Sequence, residues 1–129
     1  MRITTLVGLV APVLLACAPP STANPAHDPN VITREEIIAS SAANAYEAVS
    51  RLRPNFLQFR GQTTITGPDT GYPKVYLDRM PYGDITTLKS LDANSIREIR
   101  YYNSAAASAR FGLGNVAGAI EVISRPTPP

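Results

Sequence analysis

Residues 95–123, SIREIRYYNSAAASARFGLGNVAGAIEVI, contain the pattern that decides the fold. Polar and apolar side chains alternate from Ser95 to Asn103, which predicts a strand with two different faces. The alanine-rich run Ser104–Arg110 predicts a helix, and the glycines after it loosen the backbone before a last apolar strand, Ala119–Ile123. This stretch therefore predicts a strand, a helix, a glycine-rich turn and a second strand, in that order.

The segment before Pro54 predicts a single long helix. Thr33 and Glu36 have the spacing of a capping box at its start. Apolar residues then recur at intervals of four and three, which places them on one helix face; they are Ile38, Ala42, Ala45, Val49 and Leu52. The helix must end near Pro54, because proline disfavours helical backbone at the residue before it.

Shorter elements are expected between these two regions. Phe56–Arg60 is compatible with a strand, and Lys74–Leu77 predicts another strand, which Asp78–Pro81 closes as a turn. Asp84 can cap a brief helix that runs to Leu91. Helices and strands alternate without regular βαβ units. This predicts a small α+β domain with a short mixed sheet and two or three helices.

The first 17 residues have the layout of a secretory signal peptide. Arg2 precedes an apolar stretch from Leu6 to Leu15 that is too short to cross a bilayer as a helix. The ending Leu14-Leu15-Ala16-Cys17 resembles the lipobox of bacterial lipoproteins, and this resemblance implies that cleavage leaves a lipidated Cys17 at the N-terminus. The alternative is an ordinary leader in which the cysteine is incidental.

The remaining chain divides into three parts. Residues 18–30, APPSTANPAHDPN, predict a proline-rich tether, residues 31–125 the folded domain, and residues 126–129 a tail. Ala18 follows the cysteine, so the acidic signal for retention in the inner membrane is absent. We therefore expect a lipid anchor in the outer membrane, with the domain on the periplasmic face.

Composition argues against several classes of function. The chain has 129 residues and a formal net charge of +2, which is too weak to favour nucleic acid as a partner. Its length excludes a self-contained plugged barrel, which needs about 22 strands. The single histidine, His27, lies in the tether, which argues against a Ser–His–Asp triad. No group of His, Cys or carboxylate side chains has metal-ligand spacing, so we expect no bound metal. We also expect no enzymatic activity and no cofactor.

The ordered set of segments resembles the plug domain of TonB-dependent receptors. The resemblance implies a plug-like fold, and in that family the plug occludes and gates its own barrel. With no barrel expected here, the resemblance implies an interaction module and not a transporter. The segments that carry it are Val31–Ile37, Asn44–Leu52, Val75–Asp78, Ile96–Tyr102, Ala105–Gly114 and Gly118–Ile123.

The chain also departs from the usual plug pattern. Asn103-Ser104-Ala105 stands where a Gly-Pro pair is usual, Arg79 where glycine is usual, and Arg53-Pro54-Asn55 where a Pro-Gly turn is usual. We assign structural turn roles to four residues, since glycine permits tight reversals and aspartate can accept backbone hydrogen bonds across its own turn. They are Asp78, Gly112, Gly114 and Gly118.

Tyrosines interleaved with arginines are the remaining candidate for function. Arg79, Tyr82, Arg100 and Tyr102 are candidate contacts with a partner, although some tyrosines are expected to belong to the core. The favoured hypothesis is a non-catalytic lipoprotein that displays a plug-like domain to another envelope protein, such as a barrel bound in trans. The alternative is a periplasmic module that binds a small ligand or glycan.

Overall fold

Five strands form one mixed sheet at the centre of the computed structural model, which describes residues 28–61 and 71–126. In chain order they are β1 Val31–Thr33, β2 Lys74–Leu77, β3 Met80–Gly83, β4 Ile96–Tyr102 and β5 Ala119–Ser124. Across the sheet the order is β1-β4-β5-β2-β3. Neighbours are antiparallel except β2 and β5, which are parallel. The expected small α+β fold with a mixed sheet is confirmed.

Three α-helices accompany the sheet within the described ranges. They are α1 Arg34–Ala39, α2 Ala45–Leu52 and α3 Ser104–Phe111. Short 3₁₀ helices lie at Pro54–Leu57, Ile85–Ser90 and Ala93–Ser95. The predicted strands at β2, β4 and β5 and the predicted helix at α3 are therefore confirmed.

The prediction of one continuous helix from Thr33 to Leu52 is wrong, because the backbone breaks between α1 and α2. Ser41 adopts a left-handed conformation with φ 52°, and the Asn44 side chain caps α2 by accepting from the Glu47 N–H at 3.0 Å. The backbone groups of the break bond to the segment around residues 91–93 instead. Ile38, on the predicted apolar face, is consequently 61% exposed.

The capping box at the start of α1 is confirmed. The Thr33 N–H donates to Glu36 Oε2 at 2.9 Å, and the Glu36 N–H donates to Thr33 Oγ1 at 3.4 Å. These reciprocal bonds satisfy two N–H groups that have no partner within the helix. They also fix the direction in which the chain leaves β1.

Two shorter predictions also need correction. Phe56–Arg60 is not a strand, because Pro54 begins a 3₁₀ helix that buries Phe56 against the ring of Tyr101 at a centroid distance of 5.1 Å. The turn after β2 is also shorter than predicted, since β3 begins at Met80. Pro81 can lie in this strand because β3 is at the edge of the sheet.

The sheet buries different side chains on its two faces. Alternate residues of the strands meet α1, α2 and the three 3₁₀ helices in the main core. Its members include Ile32, Ile37, Val49, Phe56, Val75, Leu88, Ile99, Ile120 and Val122. The opposite face meets α3, where Tyr76, Ala107 and Ala119 are buried beside Tyr102 and Phe111. We call this smaller group the α3 cluster.

Candidate functional site

The four candidate contact residues do not share one surface. Tyr82 on β3 lies on the main-core side, where its hydroxyl is 3.2 Å from Ser90 Oγ. Arg100 and Tyr102 lie on the α3 side, since their alternate positions on β4 face away from the main core. Arg79 is in the two-residue turn between β2 and β3 and reaches the α3 side. The structure thus brings three of the four to one side of the sheet.

Tyr102 is engaged inside the domain. Its hydroxyl donates to Glu121 Oε2 at 2.8 Å, and its ring meets Phe111 edge-on at 5.6 Å. Burial and, after it, the hydrogen bond to Glu121 raise the pKa of Tyr102. The neutral phenol is therefore the form that the fold stabilises. Its hydroxyl group helps to position Glu121 and is not directed to a partner.

Glu121 is the most unusual residue of this region. It lies in the central strand β5 with 1% of its surface exposed, although glutamate is rarely buried without a partner. Arg110 on α3 supplies that partner through two bonds, Nε to Oε2 at 3.1 Å and Nη2 to Oε1 at 3.3 Å. The ion pair joins α3 to the sheet in a bidentate geometry.

Sequence reasoning missed Arg110 and Glu121 as members of the site. One signal for them was present, since Glu121 is the single charged residue of the mainly apolar strand AIEVIS. An arginine at the end of the alanine-rich helix was the only nearby hint of its partner. The pairing itself depends on how α3 lies on the sheet, which the local pattern does not contain.

An open cleft of about 200 Å³ lies next to this ion pair. Three arginines and two carboxylates line it together with one aliphatic side chain; they are Arg79, Arg97, Arg110, Asp78, Glu121 and Ile123. We call it the arginine cleft. It joins the β2–β3 turn, β4, β5 and α3, so four separate parts of the chain build it.

Arg100 lies on the same side of the sheet, but a neighbouring carboxylate balances its charge. It stands directly opposite Glu121 in the β4–β5 register and forms an ion pair with Glu98 on its own strand. The hydrogen bond that Arg100 donates to Glu98 raises the pKa of Arg100. Arg100 therefore contributes less free positive charge to this side than its exposure suggests.

Asp78 joins the β2–β3 turn to the end of β5. Its Oδ1 accepts from the Ser124 N–H at 2.9 Å and its Oδ2 from the Ser124 hydroxyl at 2.6 Å. The Asp78 N–H donates to the Val122 carbonyl at 3.0 Å. These bonds cross to another strand, and not across the turn of Asp78 itself as the sequence suggested.

The three glycines assigned to turns all have positive φ, but their surroundings differ. Gly112 and Gly114 have φ values of 91° and 92° and lie between α3 and β5. At Gly118, with φ 90°, an added Cβ would lie 2.5 Å from the Tyr102 carbonyl oxygen. Gly118 therefore allows a backbone approach that no other residue permits.

Several apolar side chains and two further cavities lie elsewhere on the surface. In the described part of the chain, the large apolar side chains that are exposed are Ile38, Phe59, Met80, Tyr82, Leu113 and Val116. A cavity of about 210 Å³ adjoins α1, and one of about 310 Å³ lies beside Tyr72 and Ile85. These features belong to different elements and do not merge with the arginine cleft.

Within residues 28–61 and 71–126, no group of three or more His, Cys, Asp or Glu side chains is placed to hold a metal ion. In that same part of the chain, no helix is long and apolar enough to cross a membrane. Cys17 and His27 lie outside the described residues.

Comparison with protein families explains this architecture. The model of the TonB-dependent receptor plug domain matches residues 24–119, which is most of the chain. The chain belongs to the TonB-dependent receptor plug domain family. The match ends at the start of β5, although in this plug domain β5 continues to Ser124 and pairs with both β4 and β2.

Membership of the plug domain family indicates the general kind of activity. Plug domains are non-catalytic components of outer-membrane receptors, and they work in association with a barrel or another envelope partner. A search of curated proteins finds no match to the chain.

Proposed function

We propose that this plug domain is a non-catalytic interaction module, anchored by lipid on Cys17 to the periplasmic face of the outer membrane, that binds another envelope protein. The family match over residues 24–119 carries the proposal, because plug domains act by contact with an envelope partner. The Leu14-Leu15-Ala16-Cys17 ending supports the anchor. Several acyl chains on one residue give stable attachment, whereas a single chain gives only marginal binding.

The cavities support an interaction module over a module that binds a small ligand. The cavities of about 200 and 210 Å³ are smaller than the roughly 300–1,000 Å³ of typical ligand pockets. The cavity of about 310 Å³ is at the lower limit, and two of the residues that line it, Asp84 and Thr86, are bonded to each other. Two of the polar side chains in this cavity are thus already paired.

Crosslinking in intact cells tests the partner. A photoreactive benzoylphenylalanine replaces Arg100, which is exposed on the α3 side, or Ile38, which lies on α1 and is 61% exposed. We expect the first variant to give one discrete adduct that mass spectrometry identifies as an envelope protein, and the second to give much less of it. Equal yields at both positions, or no adduct at either, would contradict the proposal.

Membrane fractionation tests the anchor. Cys17→Ser should abolish palmitate labelling and move the protein from the membrane to the soluble periplasmic fraction, while Ala23→Ser in the adjoining proline-rich segment should change neither. Ala18→Asp introduces the acidic retention signal and should move the protein to the inner membrane. Unchanged labelling and fractionation of Cys17→Ser would rule out the lipid anchor.

A further inference from the structure

We propose that the arginine cleft binds a carboxylate group of an acidic segment on the partner protein, with Arg79 and Arg97 as the binding residues. This inference rests on the proposed function and names the chemistry of its partner. Arg110 is held by Glu121, and Asp78 is held by Ser124. Within residues 28–61 and 71–126, neither Arg79 nor Arg97 has an ion pair or side-chain hydrogen bond.

The charge of the cleft selects the ligand. Its three guanidinium and two carboxylate groups leave one net positive charge. A carboxylate, with one negative charge, balances this, whereas a phosphate dianion leaves the complex negative. Planar guanidinium groups also match the two oxygens of a carboxylate. With a volume of about 200 Å³, the cleft admits a single acidic side chain or chain end and little more.

The backbone at Arg79 gives an independent reason to assign it a function. Asp78 and Arg79 both have positive φ, 48° and 73°, as in the tight hairpin turns that favour glycine at the second position. Arginine there destabilises the turn relative to glycine, because its Cβ crowds the backbone. Strained residues of this kind cluster at functional sites. We therefore infer that arginine is kept at this strained position because its side chain lines the cleft.

The turn is also held in place before any ligand arrives. Asp78 fastens it to β5 through Ser124 and Val122, so the position of Arg79 relative to Arg97 is set by the sheet. Arg110 is likewise fixed by its two bonds to Glu121. Groups that are preorganised lose less conformational freedom on binding, which favours affinity in a small open site.

Titration with an acidic peptide tests the site. The full chain, purified from membranes in detergent, is titrated at low ionic strength with an N-acetylated, C-amidated Gly-Glu-Gly peptide carrying a fluorophore. We expect saturable binding that Arg79→Gly weakens by about tenfold or more, as the loss of a bidentate charge-assisted contact predicts. The melting temperature of Arg79→Gly should be unchanged or higher, because glycine relieves the strained turn. Arg97→Gln should weaken binding similarly.

Two comparisons separate this site from general charge attraction. Lys89→Gln removes one positive charge on the 3₁₀ helix of the main-core side and should leave binding unchanged. Arg79→Lys keeps the charge without the planar group and should bind with intermediate affinity. Equal weakening in Lys89→Gln and Arg79→Gly, no saturable binding, or a lower melting temperature in Arg79→Gly would overturn the proposal.

Inorganic phosphate distinguishes the ligand class. It should compete with the peptide only weakly, and phosphate that binds more tightly than the peptide would overturn the assignment to a carboxylate. The outcome is separable from that of the crosslinking experiment. A crosslinked envelope protein without peptide binding would contradict only carboxylate binding by the arginine cleft. Peptide binding without any crosslinked protein would contradict the proposed function and leave carboxylate binding by the cleft intact.

Discussion

Gly118, just before β5, lets the backbone lie unusually close to the end of β4. An added Cβ there would lie 2.5 Å from the Tyr102 carbonyl oxygen and 2.8 Å from the Tyr101 hydroxyl oxygen. Gly112 has almost the same φ, 91°, but nothing lies within 4 Å of its added Cβ. A side chain at Gly112 would therefore introduce backbone strain alone, whereas a side chain at Gly118 would introduce strain and a steric clash.

Gly118→Ala should consequently destabilise the domain more than Gly112→Ala. Strain alone predicts a loss of about 1–2 kcal/mol in the free energy of unfolding for Gly112→Ala. The clash adds about 1–3 kcal/mol for Gly118→Ala. Urea unfolding followed by circular dichroism measures both values. Equal losses would show that the close approach to Tyr102 does not contribute.

Tyr102 should make the fold sensitive to alkaline pH. Burial and then the hydrogen bond to Glu121 raise its pKa above the usual 10.0. The folded state thus retains a proton that the unfolded state loses, and the associated stability is complete below pH 10 and falls as the pH rises further. Tyr102→Phe should show a shallower decline above pH 10 in urea unfolding. An identical decline in both proteins would assign the effect to other groups.

At the scale of elements, side-chain caps decide where several short helices begin. Asn44 caps α2, Asn103 caps α3, and Asp84 caps the 3₁₀ helix Ile85–Ser90. Asp84 accepts from the Thr86 N–H at 2.9 Å, and its bonds to Thr86 lower its pKa. Helices this short depend on their caps, because few residues share the cost of nucleation.

Asp84→Ala should lower the free energy of unfolding by about 1 kcal/mol, the typical value of an N-cap. Since the pKa of Asp84 is lowered in the folded state, the charged cap contributes above the usual value of 3.8, and this contribution is lost as the pH falls. Asp84→Asn keeps the acceptor without the titration. Its stability should therefore match the parent at pH 7 and decline less in acid, as thermal unfolding at pH 3 and 7 measures.

Local patterns predicted the elements whose hydrogen bonds and burial follow from their own residues. Alternation identified β4 and β5, and alanine content identified α3. The break between α1 and α2 was missed because its backbone bonds to a segment some 50 residues away, around residues 91–93. A helical pattern with alanines on both sides gives no sign of that competition.

The arginine cleft was only partly predictable for the same reason. Arg79 and Arg100 were candidates because arginines are interleaved with tyrosines in this part of the sequence. The cleft itself combines residues that are up to 45 positions apart, from Asp78 to Ile123. Their proximity follows from the parallel pairing of β2 with β5 and from the place where α3 lies on the sheet. Neither relation is encoded in a local motif.

At the scale of the whole molecule, the two sides of the sheet are held by different means. The main core is a continuous apolar cluster, whereas α3 buries Ala107 and is joined to the sheet by the Arg110–Glu121 ion pair and by Phe111. Phe111 stacks on Tyr76 at a centroid distance of 3.9 Å. Fewer buried apolar contacts favour local opening at lower free energy than global unfolding.

Hydrogen–deuterium exchange should therefore be faster in α3 than in β5. We expect the amides of α3 to exchange through local opening, while those of β5, which pairs with strands on both sides, exchange only with the whole domain. Mass spectrometry of peptides covering the two elements measures the difference. Equal protection of α3 and β5 would show that the ion pair couples α3 fully to the main core.

The order of the strands has a consequence for crowded membranes. The two outer strands are poor templates for another chain, since β1 has three residues and β3 contains Pro81, which lacks an N–H group. Sheets of neighbouring molecules therefore have little opportunity to join edge to edge into longer assemblies. Edge-to-edge joining is thus disfavoured, while the surfaces outside the two buried faces of the sheet, such as the arginine cleft, stay open to a partner.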